Sequence, residues 1–132
     1  MPPPQAPTTS DFPRRGDVVR VRLDPTEGSE QAGRTSPAGE RPALVLSPDT
    51  INEHSPVVLI ASITSRKTER VYPFEALVEA GEGGLPLRSK VLLMQMRAVD
   101  KRRLAGHYGT VTPETMARVE EAIKVAAGLT AF

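Results

Sequence analysis

Arginine is the side chain that most suggests chemistry in this chain. Thirteen of the 17 basic residues are Arg. A guanidinium is planar, stays charged at any ordinary pH and grips phosphate through two parallel hydrogen bonds. A GC-rich coding sequence also raises Arg, together with the Ala, Gly and Pro that are abundant here, so composition alone leaves a phosphate ligand open. Two histidines, His54 and His107, would suffice for paired acid–base cleavage of RNA only if they met in one site. His54 lies in Asn52-Glu-His-Ser-Pro56, a turn signal, and His107 in Gly106-His-Tyr-Gly109, so both read as surface residues. The carboxylates Asp17, Asp24, Glu27 and Glu30 are spread over one strand and the loop after it. They lack the converging spacing of a two-metal nuclease, so no metal site is expected. With no Cys in the chain, thiol catalysis, disulfides and thiolate zinc or iron–sulfur sites are excluded.

The remaining composition is that of one soluble domain. The chain has 132 residues, 39% hydrophobic and 25% charged, with a net charge of +1. That balance leaves room for a local basic groove, because binding follows the arrangement of charge as well as its total. Aromatic residues are only 4%, which argues against a surface that works mainly by stacking bases. No apolar run approaches the ~20 residues that span a bilayer. The start, Met1-Pro-Pro-Pro-Gln-Ala-Pro7, lacks the charge and apolar run of a signal peptide, so a cytoplasmic protein is expected.

The elements that must position these residues are mostly strands. Residues 1–13 carry five prolines and read as an extended tail, with the folded domain expected over 14–132. In Asp17–Leu23, Val19, Val21 and Leu23 share one face while Arg20 and Arg22 take the other. Arg41–Ser47 and Val57–Thr64 are almost continuously apolar, as central strands are. Further strands are expected at Pro73–Val78, Lys90–Met94, Gln95–Val99 and Gly106–Val111, closely spaced and turn-marked as in a small antiparallel barrel. Between the first two strands, Asp24–Glu40 is rich in Gly, Ser, Pro and Thr and reads as a long loop, expected to gate whatever groove lies beneath. The period then changes. Thr112 suits an N-cap, Pro113 the first helical position and Gly128 the C-terminal cap; Met116, Val119, Ile123 and Ala126 recur at helical spacing as a core-facing stripe.

Three ordered motifs carry a resemblance: Asp24-Pro-Thr-Glu-Gly-Ser-Glu-Gln-Ala-Gly33, Arg41-Pro-Ala-Leu-Val-Leu-Ser-Pro48 and Ile63-Thr-Ser65. Together with Leu92-Leu-Met-Gln-Met-Arg-Ala-Val-Asp-Lys-Arg-Arg-Leu104 and the Gly128-Leu129 region, they resemble the MazF/PemK (Kid) family of toxin endoribonucleases from Arg14 onward. The resemblance implies a mainly β fold with a C-terminal helix, a small SH3-like antiparallel barrel, and a homodimer. It also implies metal-independent, sequence-selective cleavage of single-stranded RNA without a cofactor. A cognate antitoxin covering the RNA groove is the implied partner. Carried over by position, the catalytic residues are Arg41 and Thr64, with Glu30 as a candidate proton acceptor. The RNA-binding residues are Ser29, Gln31, Arg34, Ser65, Gln95 and Arg97.

Two departures stand out. Arg34-Thr-Ser-Pro-Ala-Gly-Glu40 intervenes between the loop Gly and the Arg-Pro motif, which makes Arg34 a rival to Arg41. Arg41 is preferred because Pro42 and the apolar run behind it anchor it on a strand. Met94 stands before Gln95 where an acidic residue is common, so base preference is expected to differ. The competing readings are a toxin of the same fold that binds a protein such as DNA gyrase without RNA chemistry, and an RNA-binding module that has lost activity. Arg41 and Thr64 favour the endoribonuclease, since a pure protein binder has no need of both.

Overall fold

Strand β1 (Asp17–Arg22) buries valines on both of its faces, and that doubles the core it must satisfy. The computed structural model describes residues 12–23 and 39–131. Ser29, Glu30, Gln31, Arg34 and most of the segment expected to gate the groove lie outside the described residues. Six strands form one antiparallel sheet in the order β4-β5-β3-β2-β1-β6. The others are β2 (Glu40–Val45), β3 (Val57–Thr64), β4 (Glu75–Val78), β5 (Ser89–Asp100) and β6 (Leu104–Thr110). Two helices, α1 (Asp49–His54) and α2 (Pro113–Ala126), complete the fold.

The two faces of the sheet carry separate apolar clusters. Val18, Leu44, Ala61, Ile63, Val78, Val91 and Leu93 pack toward Val119 and Ala122 of α2. Val19, Val21, Ala43, Val45, Val58, Ile60 and Val99 pack on the opposite side, with Leu104 of β6 against them. This explains why β2 and β3 read as continuous apolar runs: from Ala43 to Val45 and from Ile60 to Ile63 both of their faces are covered. Helix α2 keeps the expected boundaries. The Thr112 hydroxyl accepts from the Thr115 N–H (3.2 Å), and Glu82 accepts from the Thr112 N–H and hydroxyl at 2.9 and 3.1 Å. At the other end Gly128 takes a left-handed φ of 78°, which lets the Leu129 N–H reach the Lys124 carbonyl (2.7 Å).

Three features depart from the sequence reading. The strands expected at 90–94 and 95–99 are one strand, β5, bent rather than interrupted. Its pairing with β3 jumps from Ala61↔Met96 to Ile63↔Val91, so two residues of β3 span five of β5. Beyond the jump β5 turns its other edge to β4, from Glu75↔Leu92 to Val78↔Ser89. The sheet order does not close: among the described residues no strand pairing joins β4 or β5 to β6, and barrel closure by hydrogen bonds is absent. Instead the 82–84 turn packs on β6, where Gly84 (φ 76°) lies so close to Tyr108 that a Cβ would strike its carbonyl oxygen. Finally, residues read as a turn around His54 form α1. This helix is short and mostly exposed, and its hold is a polar one: fully buried Asn52 donates from Nδ2 to the Ser47 carbonyl (2.8 Å), and Ser47 Oγ accepts from the Leu59 N–H (3.0 Å).

One ion pair is buried where β4 meets β5. Lys90 Nζ lies 2.8 Å from Glu75 Oε1 and donates to the Arg70 carbonyl (2.8 Å), with the Tyr72 ring 5.9 Å away. Removing one member of a buried pair strands the other charge, at a cost of about 3–5 kcal/mol, whereas replacing both by apolar groups is far milder. Glu75→Ala is therefore expected to lose stability on that scale in urea unfolding, and Glu75→Ala with Lys90→Met to recover most of it. Equal losses in the single and double variants would show that the pair is not what holds this corner.

Candidate functional site

Arg41 is held by two strands at once. It pairs with Val21 of β1, and Val21 faces the cluster away from α2, so the Arg41 side chain enters the sheet on that same side. The β2–β3 register pairs Ala43 with Ser62; two residues further along the same register Arg41 stands level with Thr64. Thr64 in turn pairs with Lys90 of β5. A row of three polar side chains, Arg41, Thr64 and Lys90, thus crosses three adjacent strands at one end of the sheet. The row exists because side chains directly opposite one another in antiparallel strands share a face. Within this row Lys90 is paired with Glu75.

Arg41 and Thr64 both line a cavity of about 220 Å³, together with Pro42, Ile63, Ser65, Arg66, Leu85, Pro86, Leu87 and Ser89. Arg41 is 4% exposed, unusually deep for an arginine. Burial pushes its pKa below the usual arginine value, and the positive charge of Arg66 pushes it further the same way. The Thr64 hydroxyl oxygen accepts from the Arg66 N–H at 3.1 Å, which fixes the turn after β3. Among the described residues no three His, Asp or Glu side chains are placed to hold a metal ion. His54 ends α1 with its side chain 79% exposed, whereas His107 lies on β6, 3.3 Å from Asp17 Oδ1.

Residues 14–127 match the family described as PemK-like, MazF-like toxin of type II toxin–antitoxin systems. The chain belongs to this family. Its fold is also that of solved family structures. MazF from Deinococcus radiodurans superposes with a TM-score of 0.71 at 30% identity, over 89% of this chain and 98% of that one. An endoribonuclease of a mycobacterial species, solved with its cognate antitoxin, gives 0.70 at 27% identity, over 89% of this chain and 97% of that one. A mycobacterial endoribonuclease gives 0.70 at 24%, covering 92% and 96%.

Within this PemK/MazF-like chain, the sequence-derived site residues divide into three groups. Arg41, Thr64 and Ser65 come together in the cavity. Gln95 and Arg97 lie on β5 and do not line it: Gln95 falls in the irregular stretch where the register jumps, and Arg97, opposite Ile60, is exposed further along the sheet. Ser29, Glu30, Gln31 and Arg34 lie outside the described residues. Arg66, Leu87 and Ser89 complete the lining and were not singled out beforehand. For Arg66 a signal was available, since a basic residue two positions past a strand-end Thr falls beside it once the chain turns.

Proposed function

We propose that this chain is a metal-independent, sequence-selective endoribonuclease toxin that cleaves single-stranded RNA and is inhibited by a cognate antitoxin. The observation that carries the reading is the placement of Arg41 and Thr64 side by side at the strand ends, in one cavity, within a chain of the toxin family. Similarity at 27% identity to a structure named as an endoribonuclease in complex with its cognate antitoxin supports the activity and the partner. In this reaction the substrate's 2′-oxygen bonds to phosphorus as the P–O5′ bond breaks. The 2′ proton passes to a base, and a proton is delivered to the departing 5′ oxygen, leaving a 2′,3′-cyclic phosphate and a 5′-hydroxyl. Arg41 clamps the phosphate oxygens and stands as the acid, its depressed pKa easing release of a proton. Thr64 adds a hydrogen bond to the same phosphate. Glu30 is the candidate base, and Ser29, Gln31, Arg34, Ser65, Gln95 and Arg97 are the proposed RNA contacts. No cofactor enters.

The toxin acts in the cytoplasm as a homodimer of SH3-like units, formed by residues 14–132, with 1–13 as a tail. Two observations support this assembly. The cluster of Val19, Val21, Ala43, Val45, Val58, Ile60 and Val99 with Leu104 draws β1, β2, β3, β5 and β6 around one apolar interior. On the outer surface Ile51, Val57 and Leu59, all at least 38% exposed, line an apolar groove with Met96, Ala98 and Ile123. Exposed apolar area of this kind marks an interaction surface.

Incubating the purified protein with a long single-stranded RNA in EDTA is expected to give cuts at defined sequences bearing 2′,3′-cyclic phosphate ends. Arg41→Ala and Thr64→Ala should each slow cleavage by a factor of about 10²–10³, the usual loss for one preorganised donor. RNA left intact by the wild type would move the reading to a protein-binding toxin. An inactive Arg34→Ala beside an active Arg41→Ala would relocate the catalytic arginine. Light scattering should report about twice 14.2 kDa, and Leu59→Asp should shift it to the monomer. A Leu59→Asp monomer cutting RNA at the normal rate would refute a groove shared between two copies.

A further inference from the structure

Arg66 is the one cation of the cavity to which neither the motifs nor the proposed reaction assign a task. Its backbone N–H donates to Thr64 Oγ1 at 3.1 Å, and its side chain is exposed on the rim of the space that Arg41 enters from below. Some surface arginines have a carboxylate close by, Arg20 with Glu40 at 3.1 Å, Arg102 with Asp100 at 3.1 Å and Arg88 with Glu79 at 3.8 Å, whereas Arg97 does not among the described residues. Among the described residues no carboxylate lies within ion-pair distance of Arg66. Arg41 and Arg66 line the same small cavity, near enough for the charge of Arg66 to act on Arg41. Like charges held together cost stability, and such an arrangement suits a site that receives an anion.

Resting on the endoribonuclease reading, we propose that Arg66 is a second phosphate-binding catalytic residue, its guanidinium taking a non-bridging oxygen of the scissile phosphate beside Arg41 while its backbone N–H turns the Thr64 hydroxyl into a donor. The hydroxyl has one proton to give. With its oxygen already accepting from Arg66, that proton is directed to the remaining partner, the phosphate in the cavity. The guanidinium moves no proton. A phosphodiester carries one negative charge, and a second develops on the phosphate oxygens as the 2′-oxygen adds. A second cation therefore stabilises the transition state more than the bound substrate, and its loss falls on kcat. An arginine that merely tracks the RNA backbone would instead act on binding, with a salt-dependent change in KM.

The test compares wild type, Arg66→Ala, Arg66→Lys and Arg41→Ala on one RNA oligonucleotide in EDTA. It also measures binding of the same oligonucleotide carrying 2′-deoxyribose at the cut. Arg66→Ala should lower kcat about 10²-fold with KM and the affinity for the deoxy analogue changed by less than about threefold. Arg66→Lys should restore part of the rate, because it keeps the charge but not the planar fork. An unchanged kcat for Arg66→Ala, whether KM rises or not, would overturn the proposal, as would a loss of binding equal to the loss of rate. Should Arg41→Ala be inactive while Arg66→Ala is fully active, only this inference fails. A wild type that leaves the oligonucleotide intact removes the underlying reading and this inference with it.

Discussion

The register between β2 and β3 is the constraint on which the site depends. It pairs Ala43 with Ser62 and carries Arg41 level with Thr64. Because side chains alternate along a strand, a slip by one residue would send Arg41 to the face covered by α2 and bury Leu44 on the wrong side. Apolar clusters on both faces oppose that slip, since a one-residue shift would exchange two sets of packed side chains at once. The placement of Arg41 is thus borrowed from the core, while the turn that follows Thr64 fixes the Thr64 hydroxyl through the Arg66 N–H.

Charge is placed against stability at this end of the sheet. Burial and a neighbouring cation both disfavour a protonated Arg41 and lower its pKa from the usual arginine value. Two strands further on, Lys90 is just as buried and is paired with Glu75 while donating to the Arg70 carbonyl. Both are buried cations, and Arg41 also lines the cavity.

Much of this arrangement was legible in the chain. Alternation in Asp17–Leu23 and the apolar runs at 41–47 and 57–64 located the central strands, and Thr112, Pro113 and Gly128 bounded α2. What escaped has physical reasons. Helix α1 has no apolar periodicity because a polar knot of Ser47 and Asn52 holds it. The bend in β5 arises from strands that compete for its two edges, information that no local window contains. Gln95 and Arg97 lie on β5 outside the lining of the cavity that Arg41 and Thr64 share. Arg66 was passed over because a charged residue in a turn is ordinarily solvated, and only the closeness of Thr64 and Arg41 in space distinguishes it.

The join between β1 and β2 has a consequence for divergence. Arg22 pairs with Glu40, and immediately beyond, the Leu23 N–H reaches the Gly39 carbonyl at 3.2 Å. The two ends of the 24–38 connection are therefore tied to each other at its base. Closing a longer connection costs only about 0.6 kcal/mol for each doubling of its length. An insertion such as 34–40 can be absorbed there while Arg41 keeps its register with Val21 and Thr64. Change in length between these tied ends is thereby kept from altering the pairing of Arg41 with Val21.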